Sequence, residues 1–194
     1  MPLSIDELRA LANQYRSRGL STQEIADELS LSQGTIAWLL TERPDAGDAP
    51  SDVRIGWRSI GVRPKRMEAV GSIMADIIEE ELDAVPDTIV GIAINGIIFA
   101  NEVARVLDSE MAIHRNVDGK DGAGALSTKY GQVSGKRVVI VDDVLSTGST
   151  MRNTISVMRD LGATVDLCMV LINKTTFNEI DGVPLRGVIR TVSV

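Results

Sequence analysis

The chain has 194 residues, of which 44% are hydrophobic and 24% charged, with a formal net charge of −7. That length suits one good core, or a small module plus a medium domain, and the acid excess argues against broad, sequence-independent binding to nucleic acid. The one cysteine, Cys168, excludes an internal disulfide and fits a reducing, cytoplasmic location, while the longest apolar runs fall short of the ~20 residues that span a bilayer. No secretory signal pattern opens the chain, so no membrane partner is expected.

Aromatic residues make up only 3% of the chain, so Val, Ile, Leu, Ala and Met must build the core. Residues 1–43 read as three helices. Ser4 with Glu7 and Ser21 with Glu24 form two capping boxes. Leu8, Leu11, Ala12 and Tyr15 give the first helix an apolar face, and Gly19 ends it. Ile25, Ala26 and Leu29 line the second, and Ser32 caps a third carrying Ile36, Leu39 and Leu40. The stretch "ERPDAGDAPSD" then reads as punctuation, giving a linker over 44–55.

Residues 56–194 follow a different pattern. Helices are predicted over 67–82, 96–107 and 149–161, and strands over 88–94, 110–115, 137–143, 164–173 and 186–194. The strands lack alternation and are separated by helices, which predicts an α/β domain with a parallel sheet covered on both faces. Cys168 lies inside "VDLCMVLIN" and is expected to be core packing. The glycine-rich stretch 119–136 has no periodicity and reads as a mobile loop. His114, the only histidine, is expected to be partly exposed and structural; Trp57 is expected to pack where linker meets domain.

The stretch "RVVIVDDVLSTGST" carries the chemistry. A buried strand delivers Asp142 and Asp143 at its carboxyl end, where open parallel sheets bind ligands. Ser146, Thr147, Gly148, Ser149 and Thr150 then turn into a helix, offering amides and hydroxyls to an anion. No lysine stands in the Walker position, so this is not a nucleotide triphosphate loop. A phosphate would repel the two acids, which therefore suit sugar hydroxyls or Mg²⁺. A phosphorylated ribose satisfies both halves. The plainer alternative is a helix cap with one acid on the surface.

This stretch resembles the phosphoribosyl-diphosphate (PRPP) motif of type I phosphoribosyltransferases: four apolar residues, two acids, an apolar pair, then Thr-Gly-x-Thr. The resemblance spans about residues 55–194 and is similar to the orotate branch. It implies that Asp142 and Asp143 hold ribose, that 146–150 hold the 5′-phosphate, and that Asn95 and Gly96 in "IAINGI" contact the diphosphate. No cofactor of its own is implied, only the Mg²⁺ that can accompany PRPP, and no separate metal site. Were the domain an active transferase, Arg115 and Lys120 would be its catalytic cations, with Lys129 a further ligand contact. The departures lie in these parts: "IAINGI" has no charge, Asn116 stands where Lys is common, and Asn173-Lys174 stands where the orotate branch carries Asp-Arg. Ribose and phosphate parts are kept while catalytic and base-binding parts are altered, which suggests a binding domain.

Residues 1–43 resemble a helix-turn-helix, with Ala26 at the helix contact and Leu31 plugging the turn. The third helix would enter the major groove of double-stranded DNA with Ser32, Gln33, Thr35 and Trp38 outward. The alternative is a three-helix interaction domain, which the four arginines and six acids of residues 1–43 favour. Joined, the halves resemble the archaeal orotate phosphoribosyltransferase-like transcriptional regulators of the GfcR type. That implies a homodimer sensing PRPP or a related sugar phosphate and controlling sugar-catabolism genes. The alternative implication is an active orotate or purine phosphoribosyltransferase with an accessory N-terminal domain.

Overall fold

The computed structural model describes residues 3–41, 50, 52–115 and 124–191. They fall into two compact units, one ending at Gly56 and the next starting at Trp57. The expected linker segment 44–49 lies outside the described residues, as do Asn116 and Lys120. Residues 52–56 belong with the first unit rather than with a free linker. Among the described residues no helix is long and apolar enough to cross a membrane.

The first unit is three helices, α1 (Ile5–Ser17), α2 (Thr22–Leu29) and α3 (Gln33–Leu40). Both capping boxes form: the Ser4 hydroxyl accepts from Glu7 N–H at 3.2 Å while Glu7 accepts from Ser4 N–H at 2.7 Å, and Ser21 and Glu24 repeat the exchange. Ala12, Ile25, Ala26, Leu29, Leu31, Ile36 and Leu39 form its core. Ser30 adopts the left-handed conformation (φ 54°) that ends α2 and turns the chain into α3.

The second unit has the order α4 (Arg58–Gly61), α5 (Pro64–Glu81), β1 (Thr88–Ile92), α6 (Gly96–Leu107), β2 (Glu110–Arg115), β3 (Ala125–Leu126), β4 (Arg137–Leu145), α7 (Ser149–Asp160), β5 (Thr164–Asn173), β6 (Glu179–Ile180) and β7 (Val183–Arg190). The sheet runs β3-β2-β1-β4-β5-β7-β6. Strands β2, β1, β4, β5 and β7 are parallel; the two-residue strands β3 and β6 add antiparallel edges. Alternation along β4 serves both faces. Val138 and Ile140 pack with Met151, Ile155 and Met158 of α7. Val139 and Val141, also fully buried, turn to the opposite face, where α6 crosses β4. This is why the strand reads as an unbroken apolar run.

Three expectations need correcting. Strand β4 does not stop at the aspartates but pairs with β5 as far as Leu145↔Asn173, because Val144 and Leu145 extend the same ladder. The glycine-rich stretch contains β3, whose Leu126 pairs with His114. His114 is not partly exposed: it is fully buried, since α7 and the β3 segment close over the end of β2.

Candidate functional site

Strands β1 and β4 are neighbours, with Gly91 opposite Val141. Their carboxyl ends therefore deliver the β1–α6 turn and the β4–α7 turn side by side. A Cβ at Gly96 would lie 2.7 Å from Val141 O and 3.0 Å from Asp142 Oδ1. Only glycine lets the start of α6 come this close to the strand. Asn95 precedes it as the N-cap residue of α6, with no side-chain cap bond of its own. Its side chain lies near enough to the Asp143 carboxylate to favour the charged form.

Asp143 is nine-tenths buried. Burial pushes its carboxyl above the usual range, against the opposing effects of contacts from Asp142, Val144 N–H and Asn95. Val144 N–H donates to Asp143 Oδ1 at 2.8 Å, and Asp143 N–H donates to Asp142 Oδ1 at 2.9 Å. Asp142 is half-buried. The sequence's two acids and its asparagine-glycine pair, 46 positions apart by number, thus form one constellation.

Beyond Leu145 the chain turns at Gly148, which has φ +79° and is buried beneath Ile180 and Phe177. Helix α7 starts there at Gly148, which makes no side-chain cap bond, while Ser149 N–H donates to Thr147 Oγ1 at 3.4 Å; the first N–H groups of a helix suit an anion. Thr147 and Ser149 are exposed, and their hydroxyls meet at 3.0 Å. Ser146 and Thr150 are half-buried beside them. The constellation has carboxylate acceptors on one side and a turn of hydroxyls and helix-start N–H groups on the other. Among the described residues no cluster of three or more acid, His or Cys side chains is placed to hold a metal ion.

The structure does not gather every residue singled out. Arg115 is exposed at the end of β2 and Lys129 is exposed in the turn after β3, neither in an ion pair with the aspartates. Asn173 is fully buried and its amide is consumed locally. Its Oδ1 accepts from Thr175 N–H and Thr175 Oγ1, both at 2.8 Å, and its Nδ2 donates to Phe177 O at 3.1 Å. It shapes the turn.

Sequence reasoning overlooked Arg152. Its guanidinium nitrogen Nη1 stands 3.9 Å from the Cβ position of Gly148, with the Phe177 ring 5.6 Å from its centre and Asp181 Oδ1 3.6 Å from Nε. A cation in the first turn of a helix opposes the helix dipole. That signal was present in the sequence.

In the first unit, Gln33 is exposed and hydrogen-bonds Gln23, and Ser32 is half-buried. Thr35, expected to face outward, is buried at 7% exposure and gives its hydroxyl to Asp52. The α3 capping turn draws it in. Trp38 is half-buried under the guanidinium of Arg9, 5.4 Å from the ring centre. The outward residues of α3 are Gln33, as expected, together with Gly34 and Ala37, small residues that the sequence reading passed over. Within the second unit, Trp57 packs on Phe99 of α6, ring centroids 6.1 Å apart.

The phosphoribosyl transferase domain family matches residues 56–190. The transcriptional regulator GfcR of Thermoplasma acidophilum is 43% identical over 97% of this chain and 96% of its own length. The GfcR protein of Picrophilus torridus is 39% identical over 98% and 99%. The crystal structure of orotate phosphoribosyltransferase from Aeropyrum pernix superposes with a TM-score of 0.61, at 21% identity, covering 88% of this chain and 93% of that one; this likeness speaks to the fold. Matches of that extent to the regulators, with the PRPP signature built on the end of β4, make the chain a member of the GfcR family of archaeal transcriptional regulators, carrying a domain of the phosphoribosyl transferase fold.

Proposed function

We propose that the second unit binds a phosphorylated ribose, PRPP or a close relative, and that this binding governs how the first unit engages double-stranded DNA. The observation that carries the reading is the meeting of Asp142, Asp143, Asn95 and Gly96 beside the glycine turn that starts α7. Carboxylates accept well from ribose hydroxyls, and the N–H groups at a helix start donate to a phosphate. If the ligand is PRPP, Mg²⁺ arrives as part of it. On the DNA side, Gln33 and the small residues Gly34 and Ala37 give α3 a face that can approach a groove closely. A homodimer would double a contact that the acidic first unit makes weakly. Regulation then requires the ligand to bind one dimer geometry better than another.

Titration calorimetry with ribose 5-phosphate and with Mg²⁺–PRPP tests the ligand half. Saturable binding that is lost in the Asp142→Asn/Asp143→Asn double variant is expected; no heat with either compound would overturn it. A gel shift on the region upstream of the chain's own gene, at stated salt, tests the DNA half. A specific shift altered by ligand is expected, and no shift at low salt would overturn it.

A second reading is an active phosphoribosyltransferase, favoured by the complete PRPP signature. Asn173-Lys174, standing where the orotate branch carries Asp-Arg with its base-binding Arg, counts against it. Diphosphate release from Mg²⁺–PRPP with orotate or purine bases, near a typical ~10 s⁻¹, would favour transfer over sensing.

A further inference from the structure

Two polar side chains lie fully buried in the apolar core behind the phosphate turn: His114 of β2 and Thr154 of α7. Thr154 Oγ1 is 2.9 Å from Thr150 O and 3.0 Å from His114 Nδ1. A hydroxyl has one proton, and a carbonyl can only accept. The Thr154 proton therefore goes to Thr150 O, and Nδ1–H of His114 donates to Thr154 Oγ1. That assignment fixes the tautomer and leaves Nε2 as a bare acceptor, which has no partner among the described residues. The opposite assignment would leave a buried N–H orphaned, the costlier defect. Gly124 covers this edge of the ring so closely that a Cβ there would collide with Nε2.

The chain of contacts spans the sheet. His114 is the next-to-last residue of a strand two places from β4 in the order β2-β1-β4, yet through Thr154 it reaches the first turn of α7. The carbonyl it secures belongs to Thr150, one of the residues proposed to hold the phosphate. A threonine hydroxyl bonded to the carbonyl four residues back bends the helix locally. Here that hydroxyl is also held from outside the helix, by His114. We propose that His114 and Thr154 act as positioning residues for the sugar-phosphate site, setting the pose of the α7 first turn. An apolar pair of similar shape would fill the same space at little or no cost in stability, so the pair's role is to orient.

This inference rests on the sugar-phosphate reading of the site, and the experiment separates the two. In the full-length chain, Thr154→Val removes the hydroxyl, Thr154→Ser keeps it, and His114→Phe fills the ring's volume without Nδ1. Ribose 5-phosphate binding is measured by calorimetry and stability by thermal unfolding. Thr154→Val is expected to weaken binding about two- to ten-fold, the loss of one oriented hydrogen bond. Thr154→Ser should restore it. The Thr154→Val/His114→Phe double variant should lose no more affinity than either single one, because the residues act as one unit. Its melting temperature should match or exceed that of the singles. As the only histidine, His114 also gives a single imidazole ¹⁵N signature, which should show the Nδ1–H tautomer and move on ligand saturation. Unaltered binding by Thr154→Val, or strictly additive losses, would overturn the positioning role while leaving the site intact. A wild-type chain that does not bind ribose 5-phosphate would overturn the site reading, and the positioning role with it.

Discussion

Thr35 gives its hydroxyl to the carboxylate of Asp52, Oγ1 to Oδ2 at 2.8 Å, and the same oxygen accepts Ser32 N–H at 2.6 Å. The Ser32 and Thr35 hydroxyls sit 2.9 Å apart, closing a ring of bonds at the start of α3. A carboxylate there complements the positive end of the helix, and Arg54 holds the same segment by donating to Leu29 O at 3.2 Å.

Asp52→Asn should therefore act in two directions. Thermal unfolding should show a loss of about 1 kcal/mol from the weakened cap. Gel shifts should show duplex DNA bound more tightly, by about fivefold for one removed charge near a phosphate. Equal or weaker DNA binding would indicate that Asp52 lies away from the bound duplex.

Gly96→Ala should damage both fold and site. The added methyl meets Val141 O at 2.7 Å, so α6 must lift from β4. Denaturant unfolding should register a loss of about 1–3 kcal/mol, typical of overpacking, and calorimetry should find sugar-phosphate binding abolished. Full affinity in this variant would place the ligand elsewhere.

Asp143→Asn should trade binding for stability. Burial raises the Asp143 carboxyl, so its charged form is disfavoured by folding. The stability missing at neutral pH returns as pH falls through the raised folded value. Asparagine removes that penalty, so the melting temperature at pH 7 should rise while ribose affinity drops about tenfold or more. A lower melting temperature would mean that the hydrogen bonds to the carboxylate outweigh its burial.

His114 should dominate the mild-acid stability profile. Burial lowers its imidazole from 6.5 to about 4. A depressed histidine leaves the unfolded chain binding more protons between those values, so stability falls as pH drops from about 6.5 to about 4 and levels off below. The window corresponds to about 3 kcal/mol. His114→Phe should flatten that portion of the curve, measured by denaturant unfolding at half-unit pH steps.

Cys168 should be inert in the native chain. It is fully buried and its thiol is pushed up to about 12, chiefly by burial. A thiol reagent at pH 8 should label it only after denaturation; rapid native labelling would reveal frequent opening of β5.

The elements were legible wherever one local pattern sufficed. The boxes Ser4/Glu7 and Ser21/Glu24 and the helix 96–107 lie where their spacing predicts. So does the strand 164–173. The two-residue strands β3 and β6 were not legible, because so short a strand carries no period and exists only by pairing with a neighbour. Thr35 was misread because helical spacing gives its angular position but not what packs over it, and Asp52 lies 17 residues away.

The motif 138–150 is contiguous, so the chain order itself determined that paired aspartates would run into a glycine turn at a helix start. Hydrophobic runs determined that a covered parallel sheet would carry it. Only the tertiary structure decided that Asn95 meets Asp143, that Asn173 spends its amide on its own turn, and that the lone histidine is sealed in the core touching Thr154. The reason is physical: local propensity acts over a few residues, whereas strand order brings distant side chains to one sheet end, and burial then sets their charge and partners.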